Sequence, residues 1–258
     1  MATTMRLTAG KRVPMDRTRK TALVAGGLYL VTFIAGIPPA LVLYSDVLNN
    51  PAAFILGSGN DTAVLWGGLL ELINALACIG TAVVLFPVVK RQNEAAALGF
   101  VTSRMFEAAV IAIGIVSLLS VVTLRQDLAG APGTDAAALA TTGHALVAAY
   151  DWALLLGPGV MPAVNALLLG YLMYRSGLVP RPIPVMGLIG APLLLASSIT
   201  TLFGHNDQVS VLSVIAVIPI FFWELSLGVY MLVKGFKPSP LTATTVTPAP
   251  VPGTVPAA

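Results

Sequence analysis

The sequence predicts an all-α integral membrane protein whose six transmembrane helices form a bundle. Of the 258 residues, 57% are hydrophobic and only 10% are charged, and the mean hydropathy is +0.89. Soluble domains usually carry about 25% charged residues. The apolar residues fall in runs of about twenty or more, the length that a helix needs to cross about 30 Å of hydrocarbon. Helices are expected because open strands would leave backbone polar groups unpaired in lipid.

Six apolar runs mark the predicted spans. They cover residues 21–44, 63–88, 95–124, 148–174, 183–203 and 209–234. The first run follows a basic segment and is too long for a signal-peptide core, so we interpret it as an anchor. The second begins just after Asn60, whose side chain can cap a helix N-terminus.

The fourth span allows two interpretations. The stretch from Ala136 to Tyr174 is long enough for two short spans hinged at Gly157-Pro158-Gly159. A seventh span would move basic loops to the wrong side of the membrane. We therefore expect an interfacial or protruding helix around His144, leading into one span kinked at Pro158 and Pro162, since proline removes an interior helical hydrogen bond.

The basic residues predict the orientation. Twelve of the fourteen Lys and Arg residues lie on one side of the spans. Six precede span one, and two each lie between spans two and three, between spans four and five, and after span six. The opposite loops contain Arg125 and five acids: Asp46, Asp61, Asp127, Asp135 and Asp207. By the positive-inside rule both termini are cytoplasmic.

The chain therefore divides into three parts. Residues 1–20 form a basic cytoplasmic segment, residues 21–235 form the six-helix transmembrane domain, and residues 236–258 form a tail. The tail is rich in Pro, Thr and Ala and has no apolar periodicity, so we expect it to be disordered and cytoplasmic.

Several stretches in order carry a family resemblance: "RKTALVAGGLYLVTFIAGI", "LLELINALACIGTAVVLFPVVKRQNEAAALGFVTSRMFEA" and "DWALLLGPGVMPAVNALLLGYLMYRSGLVPRPIPVMGLIGAPLLL". Over roughly residues 17–235 the chain resembles the bacterial multi-pass membrane family known as domain of unknown function 4386. The resemblance implies a membrane topology and a bacterial cytoplasmic membrane. It implies no activity and no catalytic or binding residues.

Polar side chains within the spans are the candidate functional residues. They are Glu71 and Asn74 in span two, Arg104 and Glu107 in span three, Asp151 and Asn165 in span four, and Glu224 in span six. A charge near the bilayer centre costs about 2.5 to 3.5 kcal/mol on insertion scales, so these groups should face one another. Spacing supports this, because Gly67, Glu71, Asn74 and Cys78 form one helical stripe, and Asp151, Pro158, Pro162 and Asn165 form another.

Depth suggests a lopsided arrangement of these groups. At about 1.5 Å per residue, Arg104, Asn165 and Glu224 fall near the midplane, and Glu107 lies one turn farther out. Asn74, Glu71 and Asp151 lie progressively nearer the outside. We therefore predict a polar column that opens outward, with an ion pair of Arg104 and Glu224 at its floor. Glu71, Glu107 and Glu224 against Arg104 leave two excess negative charges, so an acid is protonated or a cation is bound.

Three functions are consistent with this pattern. The first is small-solute or proton-linked binding or transport through the outward cavity, with a homo-oligomer expected if the protein is a carrier. The second is a structural or accessory membrane protein whose buried charges only fix helix packing. The third is an intramembrane enzyme acting on a lipid or isoprenoid, with Glu107 and Glu224 as acid and base.

No catalytic residues, cofactor or metal are predicted. The chain has one cysteine and two histidines, which makes a Cys/His metal centre or a bis-His haem improbable. The expected partners are the lipid bilayer, a small molecule that the sequence does not identify, and further copies of the chain. No nucleic acid partner is expected. Trp66, Trp152 and Tyr150 are interpreted as interfacial aromatic residues.

Overall fold

The computed structural model describes residues 16–242, which contain helices and no strand. The helices are α1 Arg17–Pro38, α2 Ser45–Asn49, α3 Pro51–Ile55, α4 Asp61–Val89, α5 Glu94–Leu128, α6 Ala136–Leu154, α7 Met161–Ser176, α8 Pro182–Leu202 and α9 Val211–Val233. A π-helical turn at Pro39–Leu43 extends α1, and another at Leu155–Gly159 joins α6 to α7. Six sections are long and apolar enough to cross a membrane, with α6 and α7 forming one of them. The predicted all-α bundle of six spans is therefore confirmed.

The bundle has two distinct ends. We call the end that carries Arg17 and Val233 the terminal end, and the end that carries α2 and α3 the distal end. The span Glu94–Leu128 has 35 residues and the span Ala136–Ser176 has 41. At about 1.5 Å per residue they are about 52 and 61 Å long, well beyond the ~30 Å hydrocarbon layer. The expected helix around His144 is thus the distal extension of span four.

The six spans close into a ring. Its order is α1, α4, α5, α6–α7, α8 and α9, and α9 packs back on α1. Small residues allow the closest approaches. A Cβ at Gly26 would lie 2.6 Å from the backbone of α9, and a Cβ at Gly187 would lie 2.6 Å from the Trp223 ring. Close packing through small residues is how transmembrane helices associate without a hydrophobic driving force.

The terminal half of the bundle is tightly filled. A continuous cluster of buried side chains includes Tyr29, Leu85, Phe100, Trp223 and Met231, all of which are fully buried. A smaller cluster fills the distal end, where α2 and α3 cover α5 and α6. The midplane lies between these clusters, and the polar residues of the spans are concentrated there.

Side chains at the terminal end join the two ends of the described chain. The Arg19 guanidinium donates to the carbonyl oxygens of Met231, Leu232 and Val233, at 2.9, 2.9 and 3.1 Å. These are unpaired carbonyls of the last turn of α9, which a cation stabilises. The basic segment predicted to precede span one therefore contributes its last four residues to α1, because that helix already begins at Arg17.

The predicted tail is corrected where the structure describes it. Phe236 packs against the terminal-half core, and the Lys237 backbone N–H donates to the Leu178 carbonyl at 2.8 Å. The Ser239 hydroxyl donates to the Ser176 carbonyl, and Arg91 donates to the Leu241 carbonyl. Residues 236–242 are thus held on the bundle by Phe236 and by hydrogen bonds in which at least one partner is a backbone group, and such bonds leave no apolar periodicity in the sequence. The remaining tail, 243–258, and the predicted N-terminal segment 1–15 lie outside the described residues.

Candidate functional site

Arg104 is the centre of the buried polar group. Its side chain projects from α5 into the bundle and is 1% exposed. Nη2 donates to Glu224 Oε1 across the bundle at 2.6 Å, and Nη1 donates to Glu107 Oε2 one turn along the same helix at 3.1 Å. The structure therefore brings together Arg104 and Glu224, which the sequence placed at one depth, and Glu107, which it placed one turn farther out. Each contact is charge-assisted, which makes it stronger than a neutral hydrogen bond.

Neutral groups complete the surroundings of Arg104. Asn165 on α7 donates to Glu107 Oε2 at 2.8 Å. Nη1 of Arg104 also contacts Cys78 Sγ on α4 at 3.6 Å. The guanidinium carbon lies 5.3 Å from the centre of the Tyr29 ring and 5.9 Å from that of Phe100, distances at which an aromatic ring attracts a cation. Side chains from α4, α5, α7 and α9, together with the rings of Tyr29 and Phe100, thus surround the charge of Arg104.

The two acids differ in how far they are exposed. Both side chains of the Arg104–Glu107 pair are nearly inaccessible, at 2% and 5% exposure, whereas the Glu224 side chain is 13% exposed. Each acid has one oxygen that accepts no hydrogen bond from the described part of the chain, because Arg104 reaches only Oε1 of Glu224, and Arg104 and Asn165 both reach Oε2 of Glu107. Glu224 is the more exposed of the two, and it keeps an acceptor that is not used within the protein.

A cavity of about 160 Å³ lies beside this free oxygen. It is lined by Glu224, Arg104, Glu107, Cys78 and Asn74, and by Thr32, Phe33, Ile37 and Phe221. We call it the Arg104 cavity. Asn74 lies on the distal side of Cys78 along α4, and Phe221 lies on the distal side of Glu224 along α9. The cavity thus extends from the ion pair toward the distal end, while buried aromatic and aliphatic side chains fill the terminal side.

Polar atoms without partners surround the same group. Among residues 16–242, the buried side-chain atoms without a hydrogen-bond partner are Tyr29 Oη, Arg104 Nε, Asn165 Oδ1 and Trp223 Nε1. An unsatisfied buried polar atom costs about 1 to 3 kcal/mol, and native structures contain few of them. They belong to Arg104, to Asn165 beside Glu107, and to the core residues Tyr29 and Trp223. Hydrogen bonds within the protein therefore leave several buried polar atoms without a partner.

Glu71 belongs to a different polar group. Its two carboxylate oxygens accept from the hydroxyls of Tyr44 and Tyr150, at 3.1 and 3.3 Å. The two tyrosine rings meet edge to face with their centres 5.5 Å apart. Gly67 makes room for them, because a Cβ there would overlap the Tyr44 ring. The predicted glycine on this stripe of α4 does admit a close neighbour, and that neighbour is a tyrosine.

Two sequence interpretations are wrong at this point. Asp151 is exposed and does not join the buried group, and Tyr150 is only 2% exposed and is not an interfacial residue. The π-helical turn at Leu155–Gly159 explains the first error. A π turn holds more residues than an α turn, so a periodicity counted from Asn165 back across the turn points to the wrong face. Trp66 and Trp152 are more than half exposed, as expected for residues facing lipid.

Sequence reasoning also missed several lining residues. Thr32, Phe33 and Phe221 line the Arg104 cavity, and Tyr44 binds Glu71. Apolar residues on a transmembrane helix carry no signal that separates the lipid face from a cavity face. Tyr44 could have been found from the sequence, because it lies near the distal end of span one, at the depth of Glu71. Glu71 has no basic residue at that depth to pair with.

Comparison with known proteins gives a family and no activity. No curated protein and no solved structure matches the chain. A family profile matches residues 24–235, which include most of the first span and the other five in full. Together with the multi-pass helical fold, this match shows that the chain belongs to the family described as Domain of unknown function (DUF4386).

Proposed function

We propose that this membrane protein binds a small solute in the Arg104 cavity. The solute is then either passed across the membrane or released again on the distal side of the bundle. The observation that carries the proposal is Glu224, a charged side chain that is paired on one oxygen and faces a cavity with the other. A charge used only for packing would be enclosed on all sides. Intramembrane ionisable residues that line a cavity are typical of substrate and ion pathways.

The asymmetry of the bundle supports access from the distal end. On the terminal side of Arg104, Tyr29, Phe100 and Leu85 are fully buried and form part of a continuous core. On the distal side, Ile37 and Phe221 are about 40% and 37% exposed while they line the cavity. The lining of the cavity is thus less enclosed on the distal side than on the terminal side, which is the asymmetry expected of one state of a protein with alternating access.

Cys78 provides a direct test because it lines the cavity and is the single cysteine of the sequence. In sealed vesicles we expect a small, charged thiol reagent to modify Cys78 when it is added on the distal side. A variant with Cys78→Ser and Ala82→Cys moves the thiol one turn toward the terminal end. Ala82 is fully buried in the core, so this variant should not react.

The pattern of thiol reaction distinguishes an accessible cavity from buried charges that only fix helix packing. Fast reaction of Cys78 and none at Ala82→Cys would support an accessible cavity. If neither thiol reacts while a cysteine introduced at the exposed Asp127 does, the cavity is closed to solutes and the proposed function fails.

A packing role is the second candidate, and one observation favours it. Arg104 donates to both acids and to a thiol while it is almost fully buried, as a charge that only fixes helix positions would. Buried polar groups can specify a packing arrangement without adding stability. Under this role, replacements at Glu224 would change the amount of folded protein, with no separate effect on solute binding.

We also propose that the terminal end faces the cytoplasm of a bacterium and that the protein assembles into oligomers. The orientation follows from the basic loops between α4 and α5 and between α7 and α8. Oligomers are expected because six spans without an internal repeat offer no second half to move against the first.

A further inference from the structure

A second cavity lies nearer the distal end. It has a volume of about 240 Å³ and is bounded by the π-helical turn before α7 and by α8 and α9. No charged side chain lines it. Its polar lining consists of Gln208 and the hydroxyls of Ser197, Ser198, Thr201 and Ser213, and the rest is mostly aliphatic. We call it the hydroxyl cavity.

These hydroxyls act mainly as acceptors toward the cavity. Ser198 donates to the carbonyls of Gly159 and Leu194, at 2.8 and 2.9 Å. Thr201 donates to the Ser197 carbonyl at 3.1 Å, and Ser213 donates to the Asp207 carbonyl at 2.9 Å. A hydroxyl has one proton and two lone pairs, so Ser198 and Thr201 have used their donors and retain acceptor capacity. Ser213 does not retain it, because its oxygen already accepts from Asn206 at 2.8 Å and from Ser210 at 3.2 Å. The cavity therefore favours a ligand that donates hydrogen bonds.

One face of α9 borders both cavities. Val214 and Val217 line the hydroxyl cavity, and Phe221 and Glu224 line the Arg104 cavity. Their spacings of three, four and three residues place all four on the same side of the helix. Val217 and Phe221 are about 6 Å apart along the helix axis. The two cavities therefore lie one after the other along this face of α9.

The net charge of the Arg104 cavity selects the ligand. Arg104 carries one positive charge, and Glu107 and Glu224 carry two negative charges when ionised, which leaves a net charge of −1. Both acids line the cavity, and the Glu224 side chain is the more exposed of the two, at 13% against 5% for Glu107. One monovalent cation would neutralise the site. A small anion would meet two carboxylates beside the one guanidinium.

The wall beside Glu224 is aromatic and apolar. Phe33 and Phe221 meet edge to face with ring centres 5.1 Å apart, and both line the Arg104 cavity with Ile37. Aromatic rings attract organic ammonium groups, and aliphatic surface stabilises the hydrocarbon that such an ion carries. An inorganic cation has no hydrocarbon to bury against the aliphatic part of this wall.

We infer that the solute is a small organic monocation, of the alkylammonium class, which enters through the hydroxyl cavity and binds Glu224 beside Phe33 and Phe221. The inference rests on the proposed function and adds the chemical class of the ligand. The ammonium group donates to the hydroxyl acceptors on entry and to the free Glu224 oxygen at the site. The alkyl group contacts the aliphatic and aromatic walls.

Protection of Cys78 from alkylation tests the class directly. The full-length protein in lipid nanodiscs is exposed to a thiol reagent in the presence of butylammonium, 1-butanol or butanoate, which match in size and differ in charge. At about ten times its Kd a ligand leaves about one site in eleven free, so butylammonium should slow the reaction about tenfold. The alcohol and the carboxylate should leave the rate unchanged.

Two variants control the result. Glu224→Gln keeps the shape of the side chain and removes its charge, so Cys78 should still react and butylammonium should no longer protect it. Glu94→Gln removes an exposed acid in the first turn of α5 and should protect like the natural sequence.

Each outcome addresses one of the two proposals. If Cys78 never reacts, the proposed function fails together with the class of ligand. Should Cys78 react and be protected by butanoate or butanol, or by none of the three, the cavity stands and the organic monocation is refuted. Protection by butylammonium that survives in Glu224→Gln would also refute the assignment of Glu224 as the binding group.

Discussion

Replacing Arg104 should destabilise the protein more than replacing any exposed base. Arg104→Leu removes a cation that pairs with Glu224 at 2.6 Å and Glu107 at 3.1 Å, with the three side chains at 2%, 13% and 5% exposure. Solvent therefore screens these pairs little. Breaking a buried pair by removing one partner costs about 3 to 5 kcal/mol, because an uncompensated charge is left behind. Uptake of protons by the two acids would reduce that cost.

A second substitution separates electrostatics from packing. In Arg104→Leu with Glu224→Gln only one of the two acids remains, so the double variant should recover part of the lost stability. Non-additivity of this kind is expected for residues in direct contact. The measurement is the free energy of unfolding of the purified protein in mixed micelles, taken for both single variants and the double variant.

Arg175 provides the matched control. It is an exposed base in the last turn of α7, where a cation interacts with the helix dipole for about 0.3 to 1 kcal/mol. Arg175→Leu should therefore cost far less than Arg104→Leu. Equal losses in the two variants, or strictly additive losses in the Arg104 and Glu224 pair, would refute the buried ion pair.

Three further predictions concern packing, the second acid and topology. Gly187→Ala forces a Cβ to 2.6 Å from a buried indole and should cost about 1 to 3 kcal/mol in unfolding experiments, whereas Gly27→Ala has open space and should cost nothing. Glu71→Leu leaves two tyrosine hydroxyls without their acceptor and should lower the melting temperature more than Glu71→Gln, which retains a carbonyl oxygen; the reverse order would contradict this. In a Cys78→Ser background, cysteines at the exposed positions Pro238 and Asp127 should be labelled from opposite sides of the membrane, Pro238 from the cytoplasm, and labelling from the same side would overturn the topology.

Charge and hydropathy were sufficient to predict the helices of the fold. A membrane leaves few solutions for an apolar run of twenty residues, so the number of spans and the depth of Arg104, Glu107 and Glu224 followed from counting. The same logic predicted that a base in the spans must find an acid, because the alternative is a charge in lipid. Which of these side chains touch depends on how each helix is rotated about its own axis. The three-residue spacing of Arg104 and Glu107 already places both on one face of α5.

Counting failed where the helix geometry changes. The π-helical turn before Gly159 rotates α6 relative to α7, so Asp151 lies on an exposed face although its spacing from Asn165 fits an α-helix. Proline shows where a helix is disturbed, but the sequence does not show whether the result is a kink, a hinge or a wider turn. The contacts of Phe236 and Ser239 were missed for a related reason, since a chain held by backbone hydrogen bonds leaves no periodic pattern.

The two buried polar groups offset the free-energy cost of burying a carboxylate in different ways. Glu71 receives a hydroxyl on each oxygen and lines neither of the two cavities, so its contacts are complete within the protein. Glu224 receives one strong contact and keeps an oxygen toward a cavity. A group that only positions helices gains from full pairing, because each unmade hydrogen bond of a buried group costs free energy. A group that binds a solute must keep an unused acceptor until the solute arrives. On this criterion Glu71 is a packing element that joins α4, α6 and the segment after α1. Glu107 and Glu224 both keep an unused oxygen, and Glu224, the more exposed of the two, is the residue at which function should be sought.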